Sequence, residues 1–434
     1  RKMICTVRCF CLLAISLVVS PAICQERLIS RPEEVGVSSE KVGELSEYMQ
    51  SLVDQGKIAG GVTMMARHGK VVHLEAVGMA DIETQEPVKT DSIFRIASMT
   101  KPLTSVAVMM LWEEGKLELD EPVSKYIPEF QKPEVLVTVN PLTTRPAEQE
   151  ITIRQLLTHT AGLGYSCTKN IGPIYEENEI LAGLVRCDIS LNEYMKNLAE
   201  MPLLFEPGER WEYSLATDVL GRVVEVVSKK SFDRVIEEDI CRPLGMHDTF
   251  FIVPEEKRPR LVSTYVSVGK CLRKVKTGEI LKEDLLGGPV TISSDYPYDE
   301  NQSYWSGGGG LSSTITDYMR FCQMLLNGGQ LGDVRLLKDS TVKMMTVNQI
   351  GKQEIPGLPD LFGFGFSIYP DDENTPKQQL RDAYGWFGYW NTSFKISPRG
   401  DWIVIAMSQV AYVDGQTPEW MAEYEELAAG AIVR

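Results

Sequence analysis

A serine followed three residues later by a lysine can work as a nucleophile and its base when both side chains project from one face of a helix. The chain has 434 residues and carries this spacing at Ser38/Lys41, Ser98/Lys101, Ser166/Lys169, Ser267/Lys270 and Ser340/Lys343. Ser38 opens a Glu-rich amphipathic stretch, Ser166 and Ser267 fall in polar loops, and Ser340 begins a charged segment. Ser98 has a different setting. It follows the strand-like Ile93-Phe94-Arg95-Ile96-Ala97 and precedes Val106-Ala107-Val108-Met109-Met110-Leu111, a run that is apolar all round and so predicts a buried helix. Pro102 has no N–H to offer the carbonyl of Ser98, so it fits only if the helix begins at about Ser98. The nucleophile then sits where free backbone N–H groups and the helix dipole favour developing negative charge. A lysine carried into a buried site is costly while charged, which favours its proton-accepting form. No acid stands near Lys101 in sequence to pair with it.

Other chemistries find less support. No Gly-x-Ser-x-Gly elbow and no His-Glu-x-x-His pair is present, and of the four histidines His159 reads as a buried helix-end residue bonded to backbone. Gly307-Gly308-Gly309-Gly310 lacks the lysine of a phosphate loop and reads as a tight turn or close backbone packing. Tyr213-Ser214 opens a second helix pattern, LATDVLGRVVEVVS. A tyrosine at that boundary can relay a proton in a cleft or be an ordinary amphipathic side chain.

These groups need a scaffold. Residues 38–55 predict an amphipathic helix, and Gly61–Arg67 and Lys70–Val77 predict strands around the turn His68-Gly69. A helix is expected over Ser98–Glu114, and mainly helices and loops from about 100 to 290. Thr392–Ile396 and Trp402–Gln409 then predict two more strands, and Pro418–Ile432 a closing helix. Strands at both ends imply one sheet built from both termini, with a mainly helical lobe inserted between them. A ligand cleft is expected between sheet and lobe. The composition, 43% hydrophobic and 24% charged, suits a large core, and the net charge of −16 repels nucleic acid and anionic membranes.

Residues 1–24 have the three parts of a secretory signal: basic Arg1, Lys2 and Arg8, the apolar run Cys9–Ser20, and Ala22-Ile23-Cys24. Export to periplasm or medium is expected, with a retained anchor as the alternative and 25–434 as the folded domain. Five of the nine cysteines lie beyond the leader; Cys167 and Cys187 bracket a polar stretch and are spaced for a disulfide in an oxidising compartment. No ligand cluster for a metal is seen.

In order along the chain stand Gly78-Met79-Ala80-Asp81, Ser98-Met99-Thr100-Lys101-Pro102, Leu156-Leu157-Thr158-His159-Thr160-Ala161-Gly162-Leu163, Pro207-Gly208 with Trp211-Glu212-Tyr213-Ser214, Pro243-Leu244-Gly245-Met246, Gly308-Gly309-Gly310-Leu311 and Gly385-Trp386-Phe387-Gly388. With these the chain resembles the class C β-lactamases, penicillin-binding proteins and β-lactamase-like esterases over nearly all of 25–434. The resemblance implies an α/β (α+β), β-lactamase/transpeptidase-like fold and a serine hydrolase that uses no cofactor or metal. In that scheme Ser98 is nucleophile, Lys101 and Tyr213 move its proton, and the backbone N–H groups of Ser98 and Tyr389 hold the oxyanion. Two departures bear on substrate, which binds at Leu215, Trp386, Phe387 and Gly388. The Asn of the family's Tyr-x-Asn is replaced by Leu215, and the cation of its Lys-Thr-Gly by Trp386. A buried carboxylate without a partner is disfavoured. Neutral carboxylic esters are therefore expected; β-lactams or D-Ala-D-Ala and D-amino-acid peptides, acyl transfer, and a non-catalytic binding homologue are the alternatives. Phe387 is bulkier than the esterases' glycine, which leaves the local path of the strand open.

Overall fold

The computed structural model describes residues 29–269, 271–285, 288–298, 301–356, 361–373, 378–411 and 419–433. The leader, residues 1–24, and Pro418 lie outside these. Among the described residues no helix is long and apolar enough to cross a membrane.

One antiparallel sheet of eight strands organises the molecule, in the order Leu361–Phe362, Ser367–Ile368, Tyr384–Gly388, Thr392–Ser397, Trp402–Met407, Gly60–Arg67, Lys70–Asp81 and Glu86–Pro87. The two ends of the chain meet at its centre, where Val62 pairs with Met407 and Arg67 with Trp402. Every residue of Thr392–Ser397 and Trp402–Met407 is buried, so the sheet is covered on both sides. Alternation along the strands assigns the covers. Phe394, opposite Ile405, meets the ring of Tyr318 on the helix Ile315–Leu326. The opposite face takes the terminal helices Ser39–Asp54 and Glu419–Gly430, with the Met49 side chain of the first lying against Gly61. Ser38 caps the first of these by accepting from the Lys41 backbone N–H.

The expected sheet from both termini is therefore found, with strand limits shifted by a few residues. Two features add to this expectation. The inserted region is not only helices and loops: it holds the hairpins Glu134–Thr138/Thr143–Pro146, Tyr265–Val268/Cys271–Lys274 and Ile280–Leu285/Gly288–Ser293. At four to six residues each, these strands are too short for a periodicity to stand out. The strands Leu361–Phe362 and Ser367–Ile368 extend the sheet beyond the expected set; at two residues each they carry no periodicity.

His73 is buried inside the strand Lys70–Asp81, its Nε2 2.8 Å from Thr63 Oγ1. Burial pushes its imidazole down to about 4, with Glu75 opposing. Because the folded value lies below the ordinary one of 6.5, the unfolded chain binds the proton first. The stability this neutral histidine allows is complete above pH 6.5 and is lost as the pH falls toward 4. We expect the melting temperature to drop across that window. His73→Gln should remove a pH-dependent part worth about 3 kcal/mol, read as a flatter curve of denaturation midpoint against pH.

Candidate active site

The strand Phe94–Arg95 runs into a short 3₁₀ turn, Ala97–Met99, before the helix Thr100–Glu113 begins. The turn is sharp: Ala97 sits at φ +42°, a left-handed conformation that a non-glycine residue adopts at a cost. It presents Ser98 at the mouth of the helix and puts Lys101 in the first helical turn. The helix starts two residues later than the proline argument places it, because the 3₁₀ turn already directs Ser98 outward. Apart from Met110, residues 100–109 and Leu111 are buried, as an all-round apolar helix requires.

Lys101 is 1% exposed, and its Nζ lies 2.7 Å from the Gly308 carbonyl, 3.1 Å from Tyr165 OH and 3.3 Å from Ser98 Oγ. An ammonium can donate to all three; a neutral amine donates to two and turns its lone pair to the third. The site thus satisfies Nζ in both protonation states. Tyr213 OH stands 2.7 Å from Ser98 Oγ, and Trp386 donates its Nε1–H to Tyr213 OH at 3.3 Å. Lys101 Nζ also lies 4.6 Å from the centre of the Tyr213 ring. Ser98 and Lys101, three residues apart, and Tyr213, far from both in sequence, therefore meet around one hydroxyl.

Three contributors escaped the sequence reading. Tyr165 is one; burial, then the neighbouring Tyr213 and Asp218, pushes its hydroxyl well above the usual range, so it stays protonated. The second is the Gly308 carbonyl. The glycine run does pack closely, and a Cβ on Gly308 would collide with Asp218 Oδ2 and stand 3.4 Å from Lys101 Nζ. Nothing in the sequence tells which carbonyl of the run would hold the lysine. The third is Asp218, fully buried, its Oδ1 accepting from Tyr304 OH at 2.9 Å and Ser306 Oγ at 2.6 Å. Burial raises its carboxyl, while Ser306 and the charge of Lys101 lower it. The acid that is missing near Lys101 in sequence is thus supplied by the fold, from the first turn of the helix Ala216–Ser228.

His159 is buried, as expected, but its ring bonds a side chain: Nδ1 lies 3.2 Å from Ser214 Oγ. Burial and then Lys101 push its imidazole well down. It is a neutral ring packed on Trp211, Tyr213 and Phe362, holding Tyr213 from behind.

Beside Ser98 opens a small cavity lined by Tyr165, Cys167, Ala182, Leu184, Tyr213, Val290, Ile292, Gly308 and Tyr389. Tyr389 thus faces the same space as Ser98. Gly388 is pressed on the Ile96 carbonyl, where a Cβ would collide, and this close approach brings the end of the strand Tyr384–Gly388 to the nucleophile turn. Phe387 leaves the strand regular, with Trp386 opposite Phe394, Phe387 opposite Ser393 and Gly388 opposite Thr392. Phe387 stacks on Trp386 at 5.0 Å. Neither side chain lines the cavity, and Trp386 instead reaches it through Tyr213. Leu215 needs correction: it is fully buried in the core at the start of its helix and does not reach the cavity. Cys167 and Cys187 are separate thiols rather than a disulfide. Cys167 turns into the cavity wall, where burial pushes it up to about 12, and Cys187 Sγ faces the Ile189 carbonyl.

Comparison with known proteins shows the family. Residues 45–426 match the Beta-lactamase family, and the chain belongs to it. Protein Rv1367c of Mycobacterium tuberculosis is 32% identical over 83% of this chain and 88% of its own. Esterase EstB of Burkholderia gladioli is 30% identical over 85% of this chain and 91% of its own. Among solved structures, EstCE1, described as a hydrolase with promiscuous acyltransferase activity, is 29% identical and superposes with a TM-score of 0.78, covering 91% of this chain and 99% of its own. The fold is the β-lactamase/transpeptidase-like one, and the family is one of serine hydrolases with esterase and acyltransferase relatives.

Asp218→Ala should leave the Tyr304 and Ser306 hydroxyls without an acceptor and Lys101 without its nearby carboxylate. We expect a loss of about 3 kcal/mol in urea denaturation, well above that of an exposed Asp→Ala control.

Proposed function

We propose that the protein is a serine carboxylesterase that works through an acyl-enzyme on Ser98. The observation that carries the ester reading is the neutrality of the cavity: among the described residues no charged side chain lines it, and Trp386 stands where the resemblance places a lysine. Penicillins and D-Ala-D-Ala ends bring a carboxylate that would find no cation there, whereas a neutral ester leaves no charge unpaired.

In this mechanism Lys101 and Tyr213 together take the proton of Ser98 as Oγ attacks the ester carbonyl. The oxyanion is held by the backbone N–H groups of Ser98 and Tyr389, at the turn and strand end that Gly388 draws together. Collapse breaks the C–O bond, and the departing alkoxide takes its proton from Tyr213. Trp386 steadies that hydroxyl through its Nε1–H. Water then attacks the acyl-enzyme by the same route and releases the acid. An alcohol in place of water would give acyl transfer, a second reading that EstCE1's description supports. Export completes the proposal, resting on the secretory pattern of residues 1–24.

Turnover of p-nitrophenyl acetate and butyrate, measured beside nitrocefin, tests the assignment. Ester hydrolysis should dominate, and Ser98→Ala should lower it by about a thousandfold or more. Retained turnover in Ser98→Ala, or nitrocefin hydrolysis exceeding ester hydrolysis, would overturn it.

A further inference from the structure

A second cavity opens beyond the glycine run and shares no lining residue with the one beside Ser98. It measures about 390 Å³, a size typical of small-molecule sites. Its wall is mainly apolar, built by Phe250, Phe251, Trp305, Ile236 and Met246. Phe250 and Trp305 are only half-buried, so part of each ring is open to a ligand. Phe251 is fixed between Trp305, whose ring lies 5.6 Å away, and Gly310, where a Cβ would come within 2.8 Å of Phe251 Cδ1. A π-helical turn, Ile236–Cys241, carries Ile236 and Glu237 to the wall. Such turns are rare and recur at functional sites.

The polar side chains decide what kind of molecule fits. Asp233, Glu237, Arg242 and His247 also line the cavity. Glu237 accepts from Arg242 at 2.8 Å, so those two charges offset each other, and Arg234 adds a longer contact at 3.7 Å. Lys257 and Arg260, outside the wall, are both bound to Asp248. Asp233 differs from these. It is half-buried, and among the described residues it has no ion pair or hydrogen bond; its Oδ1 is shut off from water. A carboxylate left so against an apolar wall is unfavourable, and a donor brought by a ligand relieves it. The rings favour the same charge, since a cation is drawn to an aromatic face. Phe250 already has one there, with Lys257 Nζ 4.9 Å from its centre.

We propose that this cavity binds a small organic ammonium, an arylalkylamine whose apolar body lies on Phe250, Phe251 and Trp305 and whose N–H groups donate to the Asp233 carboxylate. The site takes no part in the chemistry at Ser98, so it stands or falls apart from the esterase reading. Calorimetric titration of the full chain tests it, with phenethylammonium as probe, phenethyl alcohol as its neutral counterpart and phenylpropionate as an anionic one. The amine should bind about tenfold more tightly than the alcohol, and the acid more weakly than either. Asp233→Asn should bring the amine to within about twofold of the alcohol and leave the alcohol unchanged. Trp305→Leu should weaken amine and alcohol by the same factor, about fivefold, because it removes ring surface and no charge. A melting curve checks the folding of each variant. Should Trp305→Leu not fold, Asp233→Asn decides alone, since it alters a half-buried side chain that has no partner to lose. Equal affinities for amine and alcohol, amine binding that survives Asp233→Asn undiminished, or no amine binding would each overturn the proposal. No substrate is present in the titration, so its result does not depend on whether esters are turned over.

Discussion

A primary amine sealed inside a protein must have somewhere for its protons to go, and the architecture around Lys101 answers that requirement. At 1% exposure it has no recourse to bulk water, and leaving such a group unpartnered costs several kcal/mol. Its three oxygen neighbours come from the nucleophile turn, from the loop after Gly162 and from the glycine run. The glycine run can come so close only because it has no side chains, and it is held there by Thr104 on the Gly307 carbonyl and by Thr100 on the Leu311 N–H. Asp218 anchors the same segment from behind through Ser306 and Tyr304. Satisfying one amine therefore fixes the positions of four chain segments, and Ser98 takes its place among them.

The sheet sets the other half of the site. The edge-ward strand Tyr384–Gly388 must meet the 3₁₀ turn at Gly388, and its register is set by Thr392–Ser397 beside it. That strand in turn pairs with Trp402–Met407, which pairs with Gly60–Arg67. The N-terminal strands thus contribute nothing to the cavity lining but position the element that does. Ala97 stores backbone strain at the junction between the two halves. Its neighbours hold it there: Ile96 donates its N–H to Leu311 and accepts from Met99, and Gly388 presses on the Ile96 carbonyl.

What could be read beforehand follows the range of each interaction. Ser98 and Lys101 were legible because their pairing is local, three residues apart across the 3₁₀ turn and the helix it opens, and because the flanking run is apolar on every face. The strands at both termini were legible from periodicity, and their union into one sheet followed from the need to cover both. Tyr165, the Gly308 carbonyl and Asp218 were not, because the first two reach Lys101, and the third lies behind them, from separate stretches of chain drawn together by tertiary packing. Leu215 was misplaced for a related reason. Its position two after Tyr213 puts it at a motif site, yet the helix that starts there turns it inward, and only the packed structure reveals that. Cys167 and Cys187 illustrate the limit of spacing: two thiols can bracket a loop without facing one another.

The exchange of a cation for Trp386 alters more than the charge of the site. A lysine there would offer both a hydrogen bond and a positive field, and it could bind the carboxylate of a substrate. An indole N–H keeps the first and discards the second, since it is a neutral donor with no proton to exchange near neutral pH. Tyr213 is therefore held in place on one side by Trp386 and on the other by the buried, neutral ring of His159. Among the described residues, the cation in contact with it is Lys101, over its face. On the proposed mechanism this confines the positive charge to the lysine that shares the serine's proton, on the inner side of Ser98, and leaves the substrate side neutral. A substrate is then selected by fit and by its lack of charge, which is how a β-lactamase-type framework can favour plain esters without any change in its nucleophile.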